Sequence, residues 1–365
     1  MRIGFDAKRL FRNHTGLGNY SRTLIGHLAK FYPDHDYLLY AARPGRNSVT
    51  EPFFNRDHFT IKRPRSIRPF WRRKGITKEL SQDQVDVFHG LSHQIPQGID
   101  PSQTRTVVTI HDLIHQILPE TYNRFDRMVY DQRIAYALKH SDHVIAISEH
   151  TRKDVLSLYP EVSSKISVVY QACDPLFYEE TPEQTRTEYP SEYLLYVGSI
   201  APRKNLHNLI RAYGQLKDLP PLILVGRGDK TYRRLLVNEA AKMGITDKIV
   251  FLDNVRSTTQ LKKLYSDSQA FLYPSWYEGF GLPVVEATLC KTPVLTSKTS
   301  SLEEAGGPNA IYVDPFDVDS LSNGIEQVLS VNEEQLESGY AYACQSFDPE
   351  KCTAGVIKVY EAITT

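Results

Sequence analysis

The segment from Pro274 to Ala287 holds two carboxylates and two glycines between a predicted buried strand and an apolar helix. Its sequence, Pro-Ser-Trp-Tyr-Glu-Gly-Phe-Gly-Leu-Pro-Val-Val-Glu-Ala, places Glu278 before the glycines and Glu286 one turn into the helix. Pro283 favours the first turn, so the helix should begin near Leu282. The N–H groups at a helix start attract anions, which predicts a site suited to a diphosphate. One carboxylate can then reach a sugar hydroxyl or a developing positive charge, and the other a ribose.

Two adjacent cations follow a second predicted strand, which ends at Gly198. Arg203 and Lys204 stand just before the next helix, where a planar guanidinium fork and an ammonium point charge suit a leaving diphosphate. A third strand runs into the glycine turn that holds Gly226 and Arg227. Each turn alone is equally consistent with a solvated surface loop. Three such turns in one half of the chain together indicate a binding site for a nucleotide diphosphate.

The first half carries a glycine pair and a histidine at predicted strand ends. Gly16 and Gly18 open a helix, but they lie ten residues past the preceding strand, with Ser21 in place of a third glycine. No acid ends the next strand, and these departures argue against a Rossmann dehydrogenase. His111 and Asp112 follow a buried strand. Strand ends collect ligands in α/β enzymes, which favours a functional role for His111 over a purely structural one.

These residues are positioned by short apolar runs that alternate with amphipathic stretches, the pattern of parallel sheets covered on both faces. The pattern predicts two doubly wound α/β domains facing a central cleft. Residues 1–178 form the first domain, 179–346 the second, and the proline-rich stretch 174–190 reads as a linker. The predicted strands are Arg2–Asp6, Tyr37–Ala41, Phe59–Ile61, Val85–Phe88, Thr106–Ile110, His143–Ile147, Ile166–Val169, Tyr193–Gly198, Leu222–Val225, Ile249–Leu252, Ala270–Tyr273, Val294–Thr296 and Ile311–Val313.

The composition is that of an ordinary globular protein of 365 residues, with 41% hydrophobic and 24% charged side chains. Four scattered cysteines exclude a disulfide scaffold and a zinc ribbon, and they fit a reducing cytosol. The first residues do not read as a signal peptide, and no apolar run reaches the length of a membrane span. We therefore expect a cytoplasmic protein. No converging ligand set indicates a metal.

Positive charge is concentrated in one stretch of the first half. The chain is neutral, with 43 basic and 43 acidic residues, yet eight cations stand between residues 61 and 78 before any acid intervenes. This local field argues for a local anionic partner and against a nucleic-acid binder. One interpretation is docking on an anionic membrane, with Trp71 at the headgroup level; the other is a solvated loop. The residues of the membrane or acceptor patch are Arg68, Trp71, Arg72, Arg73 and Lys74.

Taken together and in order, these motifs resemble the retaining GT-B glycosyltransferases of family 4. The Glu278–Glu286 element with its Gly-Phe-Gly-Leu-Pro core is the most specific part of the resemblance. Residues 347–365 resemble the helix that, in this family, crosses back onto the first domain. Ser199 stands where many relatives carry an arginine, and Arg203 would then substitute for it.

The resemblance implies that the second domain binds a nucleotide-diphosphate sugar and that the first domain binds the acceptor. Arg203 and Lys204 would hold the diphosphate, Glu278 would face the donor sugar, and Glu286 would bind the ribose. His111 would touch the sugar from the first domain. Glu278 and Lys204 should be exposed in the cleft, so that alanine variants still fold. The remaining donor-binding residues are Gly16, Gly198, Gly226, Arg227, Val255, Gly279, Phe280, Gly281 and Leu282.

The activity implied is retaining sugar transfer, with mannose from GDP-mannose favoured, to a glycan or lipid-linked oligosaccharide of a surface polysaccharide. No cofactor and no metal are expected, since cations and a helix dipole would stabilise the negative charge of the leaving group. Membrane association, if present, would be peripheral, on the inner face of the plasma membrane. The alternatives are a sugar-nucleotide epimerase or phosphorylase on the same fold, and a non-catalytic sugar-binding protein.

Overall fold

A computed structural model describes residues 1–54, 58–64, 71–180, 189–255 and 257–365. The chain forms two compact units, one of Met1–Ala172 with Phe347–Thr365 and one of Cys173–Ser346. The sequence-based boundary at residue 178 lies slightly too late. Phe177 is fully buried and Lys262 Nζ donates to the Leu176 carbonyl at 2.7 Å, so the start of the expected linker is folded into the second unit.

The first unit is built on a seven-stranded parallel sheet in the order β3-β2-β1-β4-β5-β6-β7. Its elements are β1 Arg2–Asp6, α1 Lys8–Arg12, α2 Gly16–Phe31, β2 Asp36–Tyr40, β3 Phe59–Lys62, α3 Ile76–Gln82, β4 Val87–Gly90, β5 Arg105–Ile110, α4 Ile114–Ile117, α5 Arg124–His140, β6 His143–Ala146, α6 Glu149–Leu158 and β7 Ile166–Val168. A single-turn π-helix, Trp71–Gly75, precedes α3.

The second unit is built on a six-stranded parallel sheet in the order β10-β9-β8-β11-β12-β13. Its elements are β8 Leu194–Val197, α7 Leu206–Gln215, β9 Leu222–Val225, α8 Lys230–Lys242, β10 Ile249–Leu252, α9 Thr258–Ser266, β11 Ala270–Tyr273, α10 Leu282–Leu289, β12 Val294–Ser297, α11 Leu302–Gly306, β13 Ile311–Val313, α12 Val318–Val328 and α13 Glu333–Ser346. Three of the six strands, β9, β11 and β12, are buried at every position.

The last helix, α14 (Pro349–Thr364), belongs to the first unit although it follows the second in the chain. Its Tyr360 hydroxyl lies 2.7 Å from His89 Nδ1, and His89 Nε2 lies 2.8 Å from Thr109 Oγ1. Thr109 in turn lies 3.0 Å from the hydroxyl of Tyr20. All of these side chains are buried, so a continuous polar network ties α14 to the sheet and to α2.

The strand order reverses once in each sheet, between β1 and β4 in the first and between β8 and β11 in the second. In doubly wound sheets, ligands bind beside the carboxyl ends of the strands at such a switch point. Among the described residues, no helix combines the length and apolar character needed to cross a membrane.

Candidate active site

The switch point of the second sheet brings the two strongest sequence motifs together. Arg203 and Lys204 follow β8 in a 3-10 turn, Pro202–Lys204, and Glu278 follows the neighbouring strand β11. Parallel strands end at the same edge of a sheet, so residues 75 positions apart in sequence become direct neighbours. The sequence predicted these residues for one site, and the fold supplies the reason for their proximity.

The carboxylate of Glu278 is held in a cage of donors. Its Oε1 accepts hydrogen bonds from Arg203 Nη1 at 2.7 Å, from Ser275 Oγ at 2.6 Å and from the Lys204 ammonium. The Tyr273 hydroxyl donates to the same oxygen at 3.3 Å, and the Lys204 ammonium lies 4.7 Å from the centre of the Tyr273 ring. Two cations thus meet one anion, which leaves a net positive charge at this edge.

Burial and electrostatics set the ionisation of Glu278. Burial by itself raises the pKa of the carboxyl, but the charges of Lys204 and Arg203, with their hydrogen bonds, lower the pKa to about 2. Glu278 is therefore ionised at neutral pH. The expectation that Glu278 and Lys204 are exposed is wrong, since they are 8% and 6% exposed. Tyr273 covers Lys204, and the charges of Lys204 and Glu278 neutralise one another, so both can be buried.

The helix α10 begins at Leu282, where the sequence placed it, with Pro283 in its first turn. Gly281 precedes it with φ 108°, a left-handed backbone that favours glycine, and a Cβ there would lie 2.8 Å from Leu302 Cδ2. The Ser301 hydroxyl donates to the carbonyl of Phe280 at 2.9 Å and so fixes the loop that carries Glu278. The N–H groups in the first turn of α10 point out of the helix start, towards the loop that carries Glu278.

Except for Gly16, which lies in the first unit, the other predicted donor-binding residues lie at the same edge of the second sheet. Gly198 directly follows β8, and Gly226 follows β9 with φ 145°. A Cβ on Gly226 would come 1.8 Å from the Gly198 carbonyl oxygen, so the two strand ends are in backbone contact. Arg227 is exposed, and Val255 is half-buried in the segment after β10. Gly279 and Phe280 lie between Glu278 and α10, with the Phe280 side chain in the core.

Glu286 lies inside α10 and is 7% exposed. The Tyr265 hydroxyl donates to its Oε2 at 3.0 Å. Burial, with a smaller contribution from the charge of Asp174, raises the pKa of Glu286 to about 8, while the Tyr265 hydrogen bond acts in the opposite direction. Glu286 is thus protonated at neutral pH and can both donate and accept a hydrogen bond.

Replacing Glu286 by glutamine should remove a pH dependence of stability. Between about pH 4.5 and 8 the folded protein keeps a proton that the unfolded chain has released, so rising pH favours unfolding. At ~1.4 kcal/mol per pKa unit, the wild type loses on the order of 4 kcal/mol of unfolding free energy over this pH range. Urea unfolding at pH 5 and pH 8.5 should therefore show that the free energy of unfolding of Glu286→Gln increases relative to that of the wild type as pH rises. Parallel stability curves for the two proteins would contradict the raised pKa.

In the first unit, His111 follows β5 and is buried. Its Nε2 lies 2.8 Å from the Leu91 carbonyl, which can only accept, so Nε2 carries the hydrogen and Nδ1 is an acceptor. The Tyr20 ring meets the imidazole edge-on at 4.7 Å. Burial, then the charge of His93, lowers the pKa of His111 to about 3, so the ring is neutral at physiological pH. Gly16 begins α2 and is exposed.

The predicted membrane patch is corrected at two of its residues. Trp71 is buried and donates from Nε1 to Glu79 Oε1 at 2.9 Å. Arg72 is ion-paired with Asp6, at 2.5 Å between Nη2 and Oδ2. Asp6 comes from the end of β1, and Glu79 stands directly after the basic stretch, so neither acid entered the local charge count. Arg73 and Lys74 are exposed, and Arg68 lies outside the described residues.

Several residues of the site escaped the sequence argument. Tyr273 and Ser275 both contact Glu278, and their places at the end of β11 and two residues beyond it were the available signal. Ser300 accepts a hydrogen bond from the Glu278 N–H at 2.9 Å, and Ser301 fixes the same loop. These two serines follow β12, and no motif around them marks a role. Tyr265, the partner of Glu286, gave no signal either.

Comparison with known families identifies the chain. The family model described as "Glycosyltransferase Family 4" matches residues 14–175, and that of "Glycosyl transferases group 1" matches residues 177–343. The chain belongs to the family 4 glycosyltransferases of the GT-B fold. The fold and the enzyme class predicted from the sequence are thereby confirmed, and the two matches divide this glycosyltransferase close to the boundary between its two units.

Related proteins include mannosyltransferases. This glycosyltransferase is 28% identical over 396 aligned residues to O-antigen chain mannosyltransferase B of Escherichia coli, with 100% of each chain covered. It is 30% identical over 229 residues to O-antigen chain mannosyltransferase RfbU of Salmonella typhimurium, with 62% of each covered. The crystal structure of Anabaena HepE in complex with UDP-glucose shares the fold, with a TM-score of 0.72, 18% identity, and coverage of 99% of this chain and 100% of HepE.

Proposed function

We propose that this glycosyltransferase transfers mannose from GDP-mannose, with retention of anomeric configuration, to a glycan or lipid-linked oligosaccharide in surface polysaccharide synthesis. The observation that carries the proposal is the cage of Arg203, Lys204 and Glu278 at the switch point of the second sheet, beside the start of α10. The names of the two O-antigen mannosyltransferases support mannose as the sugar. A nucleotide sugar as donor is supported by HepE, whose structure holds UDP-glucose.

In the proposed reaction, the bond from the anomeric carbon to the diphosphate breaks and negative charge grows on the leaving oxygen. Arg203 and Lys204 stabilise that charge, together with the N–H groups at the start of α10. The ionised Glu278 lies beside both cations and stabilises the positive charge that develops on the sugar. The acceptor hydroxyl attacks from the face that the diphosphate leaves, so no covalent bond to Glu278 is needed.

Glu286 fits the proposed contact with the ribose. A protonated carboxyl can donate one hydrogen bond to a ribose oxygen and accept another from a ribose hydroxyl. Its position in the second turn of α10 keeps it on the helix whose start is proposed to meet the diphosphate. His111, with Nδ1 as an acceptor, is proposed to receive a hydrogen bond from a sugar hydroxyl.

A donor panel tests the proposal. We expect calorimetry to show tighter binding of GDP-mannose than of UDP-glucose, UDP-galactose or GDP alone, with slow release of GDP. Because two protein cations supply the charge that meets the diphosphate, we expect full activity after treatment with EDTA. Proton NMR of the product should show the α-anomer.

Three outcomes would contradict parts of this proposal. GDP-mannose returned unchanged at every enzyme concentration would indicate binding alone, and conversion to another nucleotide sugar would indicate an epimerase. Activity lost in EDTA and restored by Mg²⁺ or Mn²⁺ would overturn transfer without a metal.

A further inference from the structure

Positive side chains gather at the switch point of the first sheet, between β1 and β4. Two of them, on α1, directly follow β1, two lie on the single-turn helix Trp71–Gly75, and one lies on α5. This is the edge at which doubly wound sheets bind ligands. The set, called the cation cluster below, consists of Lys8, Arg9, Arg72, Arg73 and Arg133.

The members of the cation cluster are close enough to act on one another. The charge of Arg72 is the largest cause of a lowered pKa at Lys8, and Arg9 and Arg133 act in the same direction. Partial desolvation, followed by the charges of Arg72, Arg73 and Arg9, lowers the pKa of Arg133. Like charges at such separations destabilise one another unless an anion lies among them.

The acid that the fold supplies here is already occupied. Asp6, at the end of β1, accepts hydrogen bonds from Arg72 Nε at 2.7 Å and from Gln94 Nε2 at 3.2 Å. Within the described part of the chain, Asp6 is the only carboxylate that forms an ion pair with any member of the cation cluster. Four of the five cations therefore have no carboxylate partner among the described residues.

Two buried polar atoms at the same edge also lack hydrogen-bond partners among the described residues. They are Arg9 Nε on α1 and His93 Nδ1 in the segment after β4. Buried polar groups are rarely left unsatisfied, because each then loses its hydrogen bond to water without gaining another. His93 has φ 59°, a strained backbone of the kind that clusters at functional sites, and its ring centre lies 5.3 Å from that of His111.

We propose that the cation cluster binds a phosphate or diphosphate group of the acceptor, so that the acceptor is a phosphorylated or diphosphate-linked glycan. This inference rests on the proposed function, in which the first unit takes the acceptor. Guanidinium forks and an ammonium group are the side chains that bind phosphate oxygens best. A phosphate would place anionic oxygens among the unpaired cations and give the Arg9 Nε–H an acceptor.

The first test measures binding without catalysis. Inorganic pyrophosphate is titrated calorimetrically into the full-length protein with GDP present to occupy the proposed donor site. We expect the double variant Arg9→Gln/Arg133→Gln to bind at least tenfold more weakly than the wild type. The control, Arg105→Gln, removes one cation of the same unit at the amino end of β5 and should bind as the wild type does.

Equal affinity in the wild type and the double variant would overturn the site. Because Arg9 is half-buried, the pair Lys8→Gln/Arg133→Gln, which changes only exposed side chains, repeats the test if the first variant fails to fold. Circular dichroism shows whether the Arg9→Gln/Arg133→Gln variant has folded.

The second test compares one oligosaccharide carried on an alkyl diphosphate with the same oligosaccharide on a neutral alkyl group. We expect the double variant to lower kcat/KM at least tenfold for the diphosphate acceptor and less than twofold for the neutral one. Equal loss for both acceptors, or no loss for either, would overturn the inference while leaving transfer intact. Absence of transfer to any acceptor by the wild type would instead contradict the proposed function.

The third test separates an acceptor phosphate from a lipid headgroup. Vesicles of phosphatidylcholine with and without phosphatidylglycerol are sedimented with the wild type and the double variant. We expect no difference between the two proteins. Loss of sedimentation in the variant, with pyrophosphate affinity unchanged, would assign the cation cluster to the membrane surface and overturn the acceptor assignment.

Discussion

Glu278→Gln is expected to lower turnover at saturating donor by about two orders of magnitude or more. The substitution keeps the size of the side chain and an oxygen for Ser275 and Tyr273, but it removes the negative charge that meets Lys204 and Arg203. In the proposed reaction that charge stabilises the developing positive charge on the sugar. The measurement is kcat with GDP-mannose, compared at donor concentrations well above KM.

Glu278→Ala is expected to differ from Glu278→Gln in stability as well as in rate. Truncation leaves the buried Lys204 and the half-buried Arg203 without their anion, and breaking a buried ion pair costs about 3–5 kcal/mol. Glu337→Gln is the matched control, since Glu337 forms an exposed ion pair with Lys291 in the same unit. Near-wild-type kcat in Glu278→Gln, with an unchanged Tm, would show that the carboxylate has no role in turnover.

Lys204→Met should reduce turnover by a comparable factor for a different reason. Lys204 is 6% exposed, and its ammonium belongs to the pair of cations proposed to meet the leaving diphosphate. Methionine fills the space beside Tyr273 without the charge, while Arg203 still holds Glu278. We expect kcat to fall at least 100-fold, because leaving-group charge is no longer stabilised.

Lys242→Met is the control for this substitution, because Lys242 is an exposed lysine of the same unit. A Lys204→Met variant that loses affinity for the donor but keeps kcat would mean that Lys204 binds the ground state and the transition state equally. Its assigned role in stabilising the leaving group would then be wrong.

The elements of the fold could be predicted largely from the sequence because both sheets are parallel and buried. Such strands appear as continuous apolar runs, and those at Arg2–Asp6, Leu222–Val225 and Ala270–Tyr273 were predicted to the residue. The start of α10 was predicted because Gly281 and Pro283 specify it chemically. Helices α1, α3, α4, α11 and α13 were not predicted, since the first four are short and α13 is only weakly amphipathic.

The environments of the site residues could not be predicted in the same way. Burial of Glu278 depends on Tyr273, at the end of the strand that precedes it, and on Lys204, which follows the neighbouring strand β8. The prediction that Arg72 is available to a membrane was wrong for a similar reason, because Arg72 pairs with Asp6, 66 positions away in the sequence. Local charge counts omit partners that the sheet brings in from a distance, and those partners decide which charges remain available to a ligand.

The assignment of α14 to the first unit has a consequence for synthesis of the chain on the ribosome. Residues 173–346 form a continuous unit, whereas the first unit needs Phe347–Thr365 to complete its core. Until α14 emerges, His89 lacks the Tyr360 hydroxyl, and the buried surface that α14 covers stays open. The amino-terminal unit is therefore completed after the unit that follows it, the reverse of the usual order in multidomain proteins.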